Sequence, residues 1–380
     1  MKKNILVVDD SALMRRAICD IINTSNEYEA ADTCRDGLEA YDKIKKNKYD
    51  AVLLDINMPR MNGLELLQKL QKENIRATVI VVSSLAKEDA KITIQAMEYG
   101  AIDFVTKPEN IIEAKGLRFR GEITAILNSV LGQPKPRISP LSGSAVSPAK
   151  SAAAAAASAS AAVSAVSSRT SGAQAPKAAV KKLSAGGNKK LVALACSTGG
   201  PKSLQSVIPY LDRNMDAPMV LVQHMPTGFT KSMAERLNEL SKVRVKEAEE
   251  NDVLRNGWVY VAPGGFHLEV VAAKDGTHKI HLSDAPAIGG LRPCANVMYK
   301  SLKKSSYDQI VCVVLTGMGA DGTEGIRELN RAKPIYVIAQ DEPTCVVYGM
   351  PKAIAETGLV DEVVPLTNVS KSIINQVGVK

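Results

Sequence analysis

Short apolar runs alternate with amphipathic segments along the first part of the chain. Four of these runs predict β-strands, with helices between them: residues 5–8, 51–54, 79–82 and 103–105. Strands that alternate with helices form a parallel sheet that helices cover on both faces. The pattern therefore predicts a doubly wound α/β domain over residues 1–132.

The alternation stops at residues 133–188 and resumes over residues 189–380. The intervening segment consists mostly of Ala, Ser, Pro and Gly, and it has almost no large apolar side chains. Such a composition cannot bury a core, so it predicts a disordered Ala/Ser-rich linker. The last segment predicts a second, Rossmann-like domain, and the fold class is α/β with two doubly wound parallel sheets.

The charge, the hydropathy and the cysteine content indicate in which compartment the protein works and which classes of partner it binds. The formal net charge is +8, and the basic residues of the predicted linker stand there without any acidic residue. This sparse spread differs from the clustered basic face of a nucleic-acid reader, and no basic recognition helix follows residue 189. No apolar run is long enough to span a bilayer, and the first residues lead into a strand rather than a signal peptide. The six cysteines lie mostly in apolar stretches without metal-binding spacing. We expect a cytoplasmic protein with reduced cysteines, no zinc or iron site, no nucleic-acid partner and no membrane insertion.

Three polar residues of the second domain each follow a strand-like apolar run. Ser197 ends the first run and is followed by Thr and two Gly, His224 comes two residues after the second run, and Asp321 lies in the Gly-rich loop after the third. The carboxyl ends of parallel strands meet at one edge of the sheet, so we expect these three residues to converge there.

Serine, histidine and aspartate at one edge indicate nucleophilic catalysis. A serine hydroxyl is a weak nucleophile unless a base lies within hydrogen-bond reach and a third group orients that base. His224 and Asp321 fit the two roles, and a backbone N–H near Met318 could face a developing oxyanion, because glycines leave that loop uncluttered. His267 competes for the role of base, since it also follows a strand and a glycine pair.

The same Gly-rich loop allows a second interpretation. Gly317, Gly319 and Gly322 form G-x-G-x-x-G between a strand and a helix, and Asp341 ends the next strand, which satisfies the dinucleotide-binding fingerprint. However, Asp321 would place a carboxylate inside the pyrophosphate cradle, where like charges repel, and no second mononucleotide-binding half follows. We therefore favour the serine site.

Acidic residues also follow the strands of the first domain. Asp9 and Asp10 end the first strand, Asp55 ends another, and Lys107 follows the last. A single acid at such a position is more often a helix cap, but three carboxylates at one edge repel one another and favour a hard cation such as Mg²⁺. Asp55 beside Mg²⁺ and Lys107 could accept a phosphoryl group, and the hydroxyls at positions 83 and 84 lie at the end of a further strand.

The first domain resembles the receiver domain of response regulators over about 130 residues. The resemblance rests on four motifs: Val7-Val8-Asp9-Asp10-Ser11, Asp55-Ile56-Asn57-Met58-Pro59, Val82-Ser83-Ser84 and Thr106-Lys107-Pro108. It implies a flavodoxin-like fold with Asp55 as the phosphoacceptor and with Ser83 and Lys107 in contact with the phosphoryl group. It also implies that four residues hold Mg²⁺: Asp9, Asp10, Asp55 and the Asn57 carbonyl. Phe104 stands where many receivers carry tyrosine.

The second domain resembles the catalytic domain of chemotaxis protein-glutamate methylesterases over nearly all of residues 189–380. The matching motifs are Cys196-Ser197-Thr198-Gly199-Gly200-Pro201, Val222-Gln223-His224-Met225-Pro226, Ala262-Pro263-Gly264-Gly265-Phe266-His267, Thr316-Gly317-Met318-Gly319-Ala320-Asp321-Gly322 and Val346-Val347-Tyr348-Gly349-Met350-Pro351. The resemblance implies Ser197 as nucleophile, His224 as base, Asp321 as orienting acid and the Met318 amide as oxyanion donor. At two positions, Cys294 and Asn296 stand where this family commonly has serine and aspartate.

Together the two resemblances imply a phosphorylation-regulated hydrolase. Its expected reaction removes methyl groups from γ-glutamyl methyl esters of chemoreceptors and deamidates specific receptor glutamines, without a cofactor for the esterase. The implied partners are methyl-accepting chemoreceptors as substrates and a chemotaxis histidine kinase as phosphodonor, and the receiver is expected to control access. The alternative is a response regulator whose output domain only binds a partner.

Overall fold

The computed structural model describes residues 2–108, 110–114, 116–132 and 189–380. The predicted linker, residues 133–188, lies outside the described residues. No helix among those described is long and apolar enough to cross a membrane.

The first domain is built on one five-stranded sheet. Its strands are β1 Lys3–Val8, β2 Tyr28–Cys34, β3 Ala51–Asp55, β4 Val79–Ser83 and β5 Asp103–Thr106. Its helices are α1 Ala12–Asn23, α2 Gly37–Lys46, α3 Gly63–Lys72, α4 Lys87–Glu98, α5 Ile111–Ala114 and α6 Leu117–Leu131. The strand order is β2-β1-β3-β4-β5, and every neighbouring pair is parallel. This confirms the predicted doubly wound, flavodoxin-like architecture.

Burial explains which strands could be predicted from the apolar pattern. Every residue of β3 and β4 is buried, so both read as continuous apolar runs. The edge strand β2 is buried only at its two ends, Tyr28 and Cys34, and the residues between them are partly or fully exposed, so the apolar pattern missed it. The helix starts follow local capping rules: Ser11 caps α1, and Asn62 forms a capping box with Glu65 at the start of α3.

The second domain contains a larger sheet and a separate hairpin. Its strands are β6 Lys190–Cys196, β7 Met219–Gln223, β8 Arg244–Glu247, β9 Trp258–Val261, β10 His267–Ala272, β11 His278–Ser283, β12 Gln309–Val314, β13 Ile335–Gln340 and β14 Glu362–Val364. Its helices are α7 Gly200–Gln205, α8 Phe229–Leu240, α9 Ala295–Ser301, α10 Thr323–Asn330, α11 Met350–Ala355 and α12 Val369–Val377.

The strand order of this sheet positions the candidate site. Seven parallel strands follow the order β14-β13-β12-β6-β7-β9-β8, whereas β10 and β11 form an antiparallel pair beside them. The chain order reverses beside β6, which lies between β12 and β7. Ligands of open α/β sheets bind at the carboxyl ends of the strands at such a switch point. Residues that directly follow β6, β7 and β12 therefore share one crevice.

Candidate functional site

Ser197 lies at the turn between β6 and α7. All of β6 after its first residue is buried, and the helix begins three residues after Ser197, at Gly200. Gly199 adopts a φ of 75°, a left-handed conformation that glycine accepts without steric strain. Gly317 packs so closely that a Cβ on it would lie 2.8 Å from the Ser197 Cβ. The glycines thus allow a tight turn and leave the serine side chain at the carboxyl edge of the sheet.

His224 and Asp321 are paired at the same edge. His224 follows β7, Asp321 precedes α10, and Nε2 of the histidine lies 2.8 Å from Oδ2 of the aspartate. Both side chains are almost fully buried, with 9% and 6% of their surface exposed. Two of the three predicted triad residues are therefore in direct contact.

The Asp321 carboxylate is held by several donors. Besides the histidine it accepts hydrogen bonds from the backbone amides of Ala295 at 2.6 Å, Asn296 at 3.0 Å and Gly322 at 2.9 Å. Burial alone would raise the pKa of Asp321, but the bond and charge of His224, together with the amides, bring it down to about 2. The carboxylate stays ionised near neutral pH, as an orienting acid requires.

Three polar groups near this pair have no hydrogen bond within the described part of the chain. Among the residues that the structure describes, neither the Ser197 hydroxyl nor Nδ1 of His224 has a hydrogen-bond partner, and the Met318 backbone N–H has no acceptor. Catalytic hydrogen bonds often form only when substrate is bound. The site therefore offers a free hydroxyl, a free imidazole nitrogen and a free amide donor at one edge.

His267, the competing base, does not belong to this group. Its side chain is buried, its Nδ1 accepts from the Cys294 amide at 3.2 Å, and its Nε2 lies 3.2 Å from the Pro286 carbonyl. Both ring nitrogens are used within the protein. The geometry leaves His267 in a packing role at the start of the hairpin.

The two departures from the family pattern, Cys294 and Asn296, both contact Asp321. The buried Cys294 thiol donates to Oδ1 of Asp321 at 3.1 Å, and burial together with the Asp321 charge raises its pKa to about 11. Asn296 accepts from the Gly325 amide at 2.6 Å and so joins α9 to α10. The thiol is a protonated donor here, where a serine would present a hydroxyl.

The dinucleotide interpretation fails on this geometry. In a phosphate cradle the loop amides point at the ligand, whereas the Gly322 amide donates to the carboxylate of Asp321 within the loop itself. The carboxylate fills the position at which a pyrophosphate would have to approach. The G-x-G-x-x-G spacing therefore serves the aspartate of the serine site.

The acidic residues of the first domain form a second cluster. Oxygen atoms of Asp9, Asp10 and Asp55 lie within 4.8 Å of one another, and Asp9 and Asp55 are buried. Lys107 Nζ lies 2.7 Å from both Asp9 Oδ2 and Asp55 Oδ2. Burial is the main cause that raises the pKa of Asp55 to about 6, and Lys107 opposes it. Burial would lower the pKa of Lys107, but the two carboxylates together raise it. Carboxylate oxygens are the ligands that Mg²⁺ prefers, so the donor set fits that ion.

Ser83 is connected to the helix that follows it. Its hydroxyl accepts a hydrogen bond of 2.7 Å from the Thr93 hydroxyl on α4, and Thr93 is completely buried. The Asn57 side chain also contacts α4, donating to Asp89 at 2.7 Å. These contacts link the acidic cluster to α4, and the sequence patterns did not identify Thr93.

The first and second domains form one compact unit. Helix α4 of the first domain lies at the interface between them. Ala90 and Ile94 of α4 belong to the same buried apolar cluster as Phe229 of α8. The ring of Phe104, on β5, stacks on Phe229 with the centroids 4.4 Å apart. At the end of α4, Glu98 forms a two-point pair with Arg236, Nε to Oε1 at 2.6 Å and Nη2 to Oε2 at 2.9 Å.

Two further contacts of this interface reach the candidate catalytic loops. Asp103 Oδ2 accepts from the Gly199 amide at 3.1 Å, two residues after Ser197, and Ser129 Oγ lies 2.7 Å from Sδ of Met318. Asp103 is buried, and burial raises its pKa to about 7. Neither contact could be inferred from sequence, because nothing local to these residues marks them as neighbours.

Both domains match known families. The family model for the response regulator receiver domain matches residues 5–115. The family model for the CheB methylesterase matches residues 192–373. A protein named protein-glutamate methylesterase/protein-glutamine glutaminase from Pyrococcus abyssi is 41% identical over 376 residues, which are 99% of this chain and 94% of that protein. Its namesake from Pyrococcus horikoshii shows the same identity and coverage. The crystal structure of the Thermotoga maritima CheB methylesterase catalytic domain is 42% identical, covering 49% of this chain and 97% of that one, with a TM-score of 0.47.

These matches cover the two domains in the predicted order and extend over nearly the whole chain. They support a regulated chemotaxis hydrolase and do not favour a non-catalytic output domain. The chain therefore belongs to the CheB methylesterase family of receiver-containing protein-glutamate methylesterases/protein-glutamine glutaminases.

Proposed function

We propose that this chain hydrolyses γ-glutamyl methyl esters on the cytoplasmic helices of methyl-accepting chemoreceptors and deamidates specific glutamines there. The observation that supports this best is the 2.8 Å contact between His224 and Asp321, with Ser197 at the end of the strand that neighbours the one before His224. This arrangement is the minimum that acyl transfer by a serine requires. Because the substrate helices are cytoplasmic, the proposed function requires the chain to work in the cytoplasm.

The proposed reaction follows from the roles of the three residues. Ser197 Oγ attacks the ester carbonyl while Nδ1 of His224 takes the hydroxyl proton, since Nε2 is held by Asp321. The Met318 N–H stabilises the negative charge on the carbonyl oxygen. His224 then protonates the departing methanol, or ammonia from a glutamine, and leaves an acyl-enzyme. Water activated by the same imidazole releases the glutamate and restores Ser197. These steps need no cofactor in the esterase domain.

The first domain would control this reaction through phosphorylation of Asp55. We infer that Asp9, Asp10, Asp55 and the Asn57 carbonyl hold Mg²⁺, which supplies positive charge next to the phosphoryl oxygens when bound. Lys107 and the Ser83 hydroxyl would bind the phosphoryl group on Asp55. A chemotaxis histidine kinase is the proposed phosphodonor.

The contacts between the domains suggest how the control works. Asp103 and Ser129 lie against Gly199 and Met318, so the docked receiver restricts the approach of a receptor helix to Ser197. If Ser83 moves to donate to a phosphoryl oxygen, it displaces the acceptor of the Thr93 hydroxyl on α4, a helix of the interface with the second domain. Phosphorylation then shifts the balance between the docked and undocked arrangements. The size of this shift is set by how differently the phosphoryl group interacts with the receiver in each arrangement.

The direct test is methanol release from a methylated chemoreceptor, measured with and without a small phosphodonor. We expect release by the full chain and an increase with the phosphodonor. If the chain releases no methanol and a fluorophosphonate probe leaves Ser197 unlabelled, the partner-binding alternative is favoured instead.

Charge reversal at the interface is expected to release the receiver. Arg236→Glu should raise the basal methanol release of the full chain about tenfold, because two carboxylates would then face each other where a two-point ion pair was. The combined change Glu98→Arg with Arg236→Glu should restore low basal activity.

Lys91→Glu provides the matched control, since Lys91 pairs with Glu235 across the same two helices but is more exposed. An exposed pair contributes little, so we expect a change of less than about twofold. Equal effects of the two single variants, or no rescue by the combined one, would contradict docking through this pair.

Asp103 is expected to make docking depend on pH. Its pKa is about 7 when docked, against an ordinary value of 3.8, so the docked arrangement loses stability as pH rises from about 4 to 7 and is constant above. Asp103→Asn keeps an acceptor for the Gly199 amide and removes the charge. We expect at least about fivefold lower basal activity than wild type at pH 7.5.

The measurement is the ratio of wild-type to Asp103→Asn basal activity across pH, because the titration of the catalytic groups cancels in that ratio. The ratio should rise up to about pH 7 and then level off. A constant ratio would show that Asp103 does not change its protonation on docking.

We also propose the division of the chain into a receiver over residues 1–132, a linker over 133–188 and a methylesterase domain over 189–380. The family matches at residues 5–115 and 192–373 support the two folded parts.

A further inference from the structure

Gln223 is a buried polar residue that the reaction proposed above does not use. It ends β7 directly before His224, and only 2% of its surface is exposed. Its Nε2 donates two hydrogen bonds, both of 3.1 Å, to the carbonyl oxygens of Ser197 and His224. One side-chain amide thus joins the backbones of the proposed nucleophile and the proposed base.

The amide lies where the ladder between the two strands ends. Cys196 and Gln223 are the last paired residues of β6 and β7, and beyond them the two chains separate into their loops. The main-chain contact there is a long bond of 3.3 Å from the His224 amide to the Cys196 carbonyl. Gln223 therefore continues the connection for one more residue on each strand, to the two residues that carry the reacting side chains.

The carbonyl oxygen of the Gln223 side chain indicates that the N–H donors are the functional part of this amide. Oε1 is buried and has no hydrogen-bond partner among the described residues. It also occupies the space beside Gly200, where a Cβ would lie 1.9 Å from Oε1. A buried carbonyl without a partner is unfavourable, and an apolar side chain of the same shape would avoid that cost. The two hydrogen bonds from Nε2 to the Ser197 and His224 carbonyls offset the cost of this unpaired carbonyl oxygen.

We propose that Gln223 is a positioning residue for ester hydrolysis, whose amide holds the Ser197 and His224 backbones at the separation that proton transfer between their side chains requires. The inference rests on the proposed function, because it takes its meaning from the roles of those two residues. Displacements of about 1 Å at a reacting pair reduce rates about 100-fold, so a connection at this point has a large effect on turnover.

Two substitutions separate the donors from the shape of the side chain. Gln223→Met has similar length and no N–H donor. Gln223→Glu keeps the shape, but as a carboxylate it places a negative oxygen against two carbonyl oxygens, whereas its protonated form donates one hydrogen bond. The glutamate variant should therefore lose more activity as pH rises, and the methionine variant should be impaired to the same degree at every pH.

The experiment measures methanol release by the full chain with a phosphodonor present, together with thermal unfolding. We expect kcat of Gln223→Met to fall about 10- to 100-fold with KM within about twofold. The activity ratio of Gln223→Glu to Gln223→Met should fall about tenfold between pH 6 and pH 8. Gln309→Glu is the matched control, because Gln309 is equally buried at the opposite, amino end of β12 in the same sheet. We expect its kcat to stay within about twofold of wild type.

The outcomes distinguish this inference from the proposed function. Release by Gln223→Met equal to that of the wild type overturns the inference alone. An equal loss in Gln223→Met and Gln309→Glu, in step with their unfolding temperatures, also overturns it, because the role is then structural. No release by the wild type overturns both. If Gln223→Glu does not fold, the kcat and KM of Gln223→Met decide the question.

Discussion

Replacing Ser197 with alanine is expected to remove nearly all ester hydrolysis, by a factor of about 10⁵ to 10⁶ in kcat. Alanine keeps the left-handed turn at Gly199 and the close contact with Gly317, so the fold should be unchanged. The hydroxyl is the only part lost, and without it no acyl-enzyme forms. Phosphorylation of Asp55 should continue, because that site is built from the other sheet.

Initial methanol release and fluorophosphonate labelling check this expectation. Ser206→Ala is the control, since that hydroxyl lies just beyond α7 and donates a long bond of 3.5 Å to the Lys202 carbonyl. We expect its rate to stay close to that of the wild type. Hydrolysis by Ser197→Ala within about tenfold of wild type would exclude a serine mechanism.

Replacing His224 with alanine is expected to be nearly as severe. If His224 and Ser197 are the proposed base and nucleophile, they act as one unit, so the loss of either removes most of the rate that both supply together. The double variant Ser197→Ala with His224→Ala should therefore be little worse than either single one. Asp321 would keep its three backbone donors but would have no imidazole to orient.

His281→Ala is the control for His224→Ala, because His281 is half exposed and contacts Glu250 away from the triad. The two variants are compared by kcat at one pH and by thermal unfolding. His267→Ala completes the set. If a folded His267→Ala variant loses more activity than His224→Ala, then His267 is the base, despite the packing of both its ring nitrogens.

The apolar pattern predicted the parts of the fold that are buried on both faces. Strands such as β3, β4 and β12 have every residue buried, and a continuous apolar run is the direct consequence. The edge strand β2 and the hairpin of β10 and β11 face solvent on one side and mix polar with apolar residues. They lack the signal on which the prediction depended.

The residues of the candidate site that directly follow strands could be predicted from the sequence. Ser197, His224 and Asp321 each follow a strand, and parallel topology brings such positions together. The contacts of Asp103 and Arg236 with the opposite domain have no local signature, because they depend on how two folded surfaces meet. Gln223 is marked in the sequence as a single amide side chain at the end of an apolar run. Its hydrogen-bond partners, the Ser197 and His224 carbonyls, are visible only in the structure.

Strand β5 connects the proposed phosphorylation site to the methylesterase domain. Asp103 and Phe104, at its start, contact the methylesterase domain, and Lys107, directly after its end, binds the Asp55 carboxylate. Two binding events that act on one element are thermodynamically reciprocal: if a phosphoryl group weakens docking, then docking weakens phosphoryl binding by the same factor. Under the proposed function, a receptor helix seated at Ser197 would compete with the docked receiver. The substrate would then act as an effector of the receiver, and we expect its presence to raise the affinity of the Asp55 site for a phosphoryl analogue such as beryllium fluoride. Activation would then be greatest where substrate is already bound.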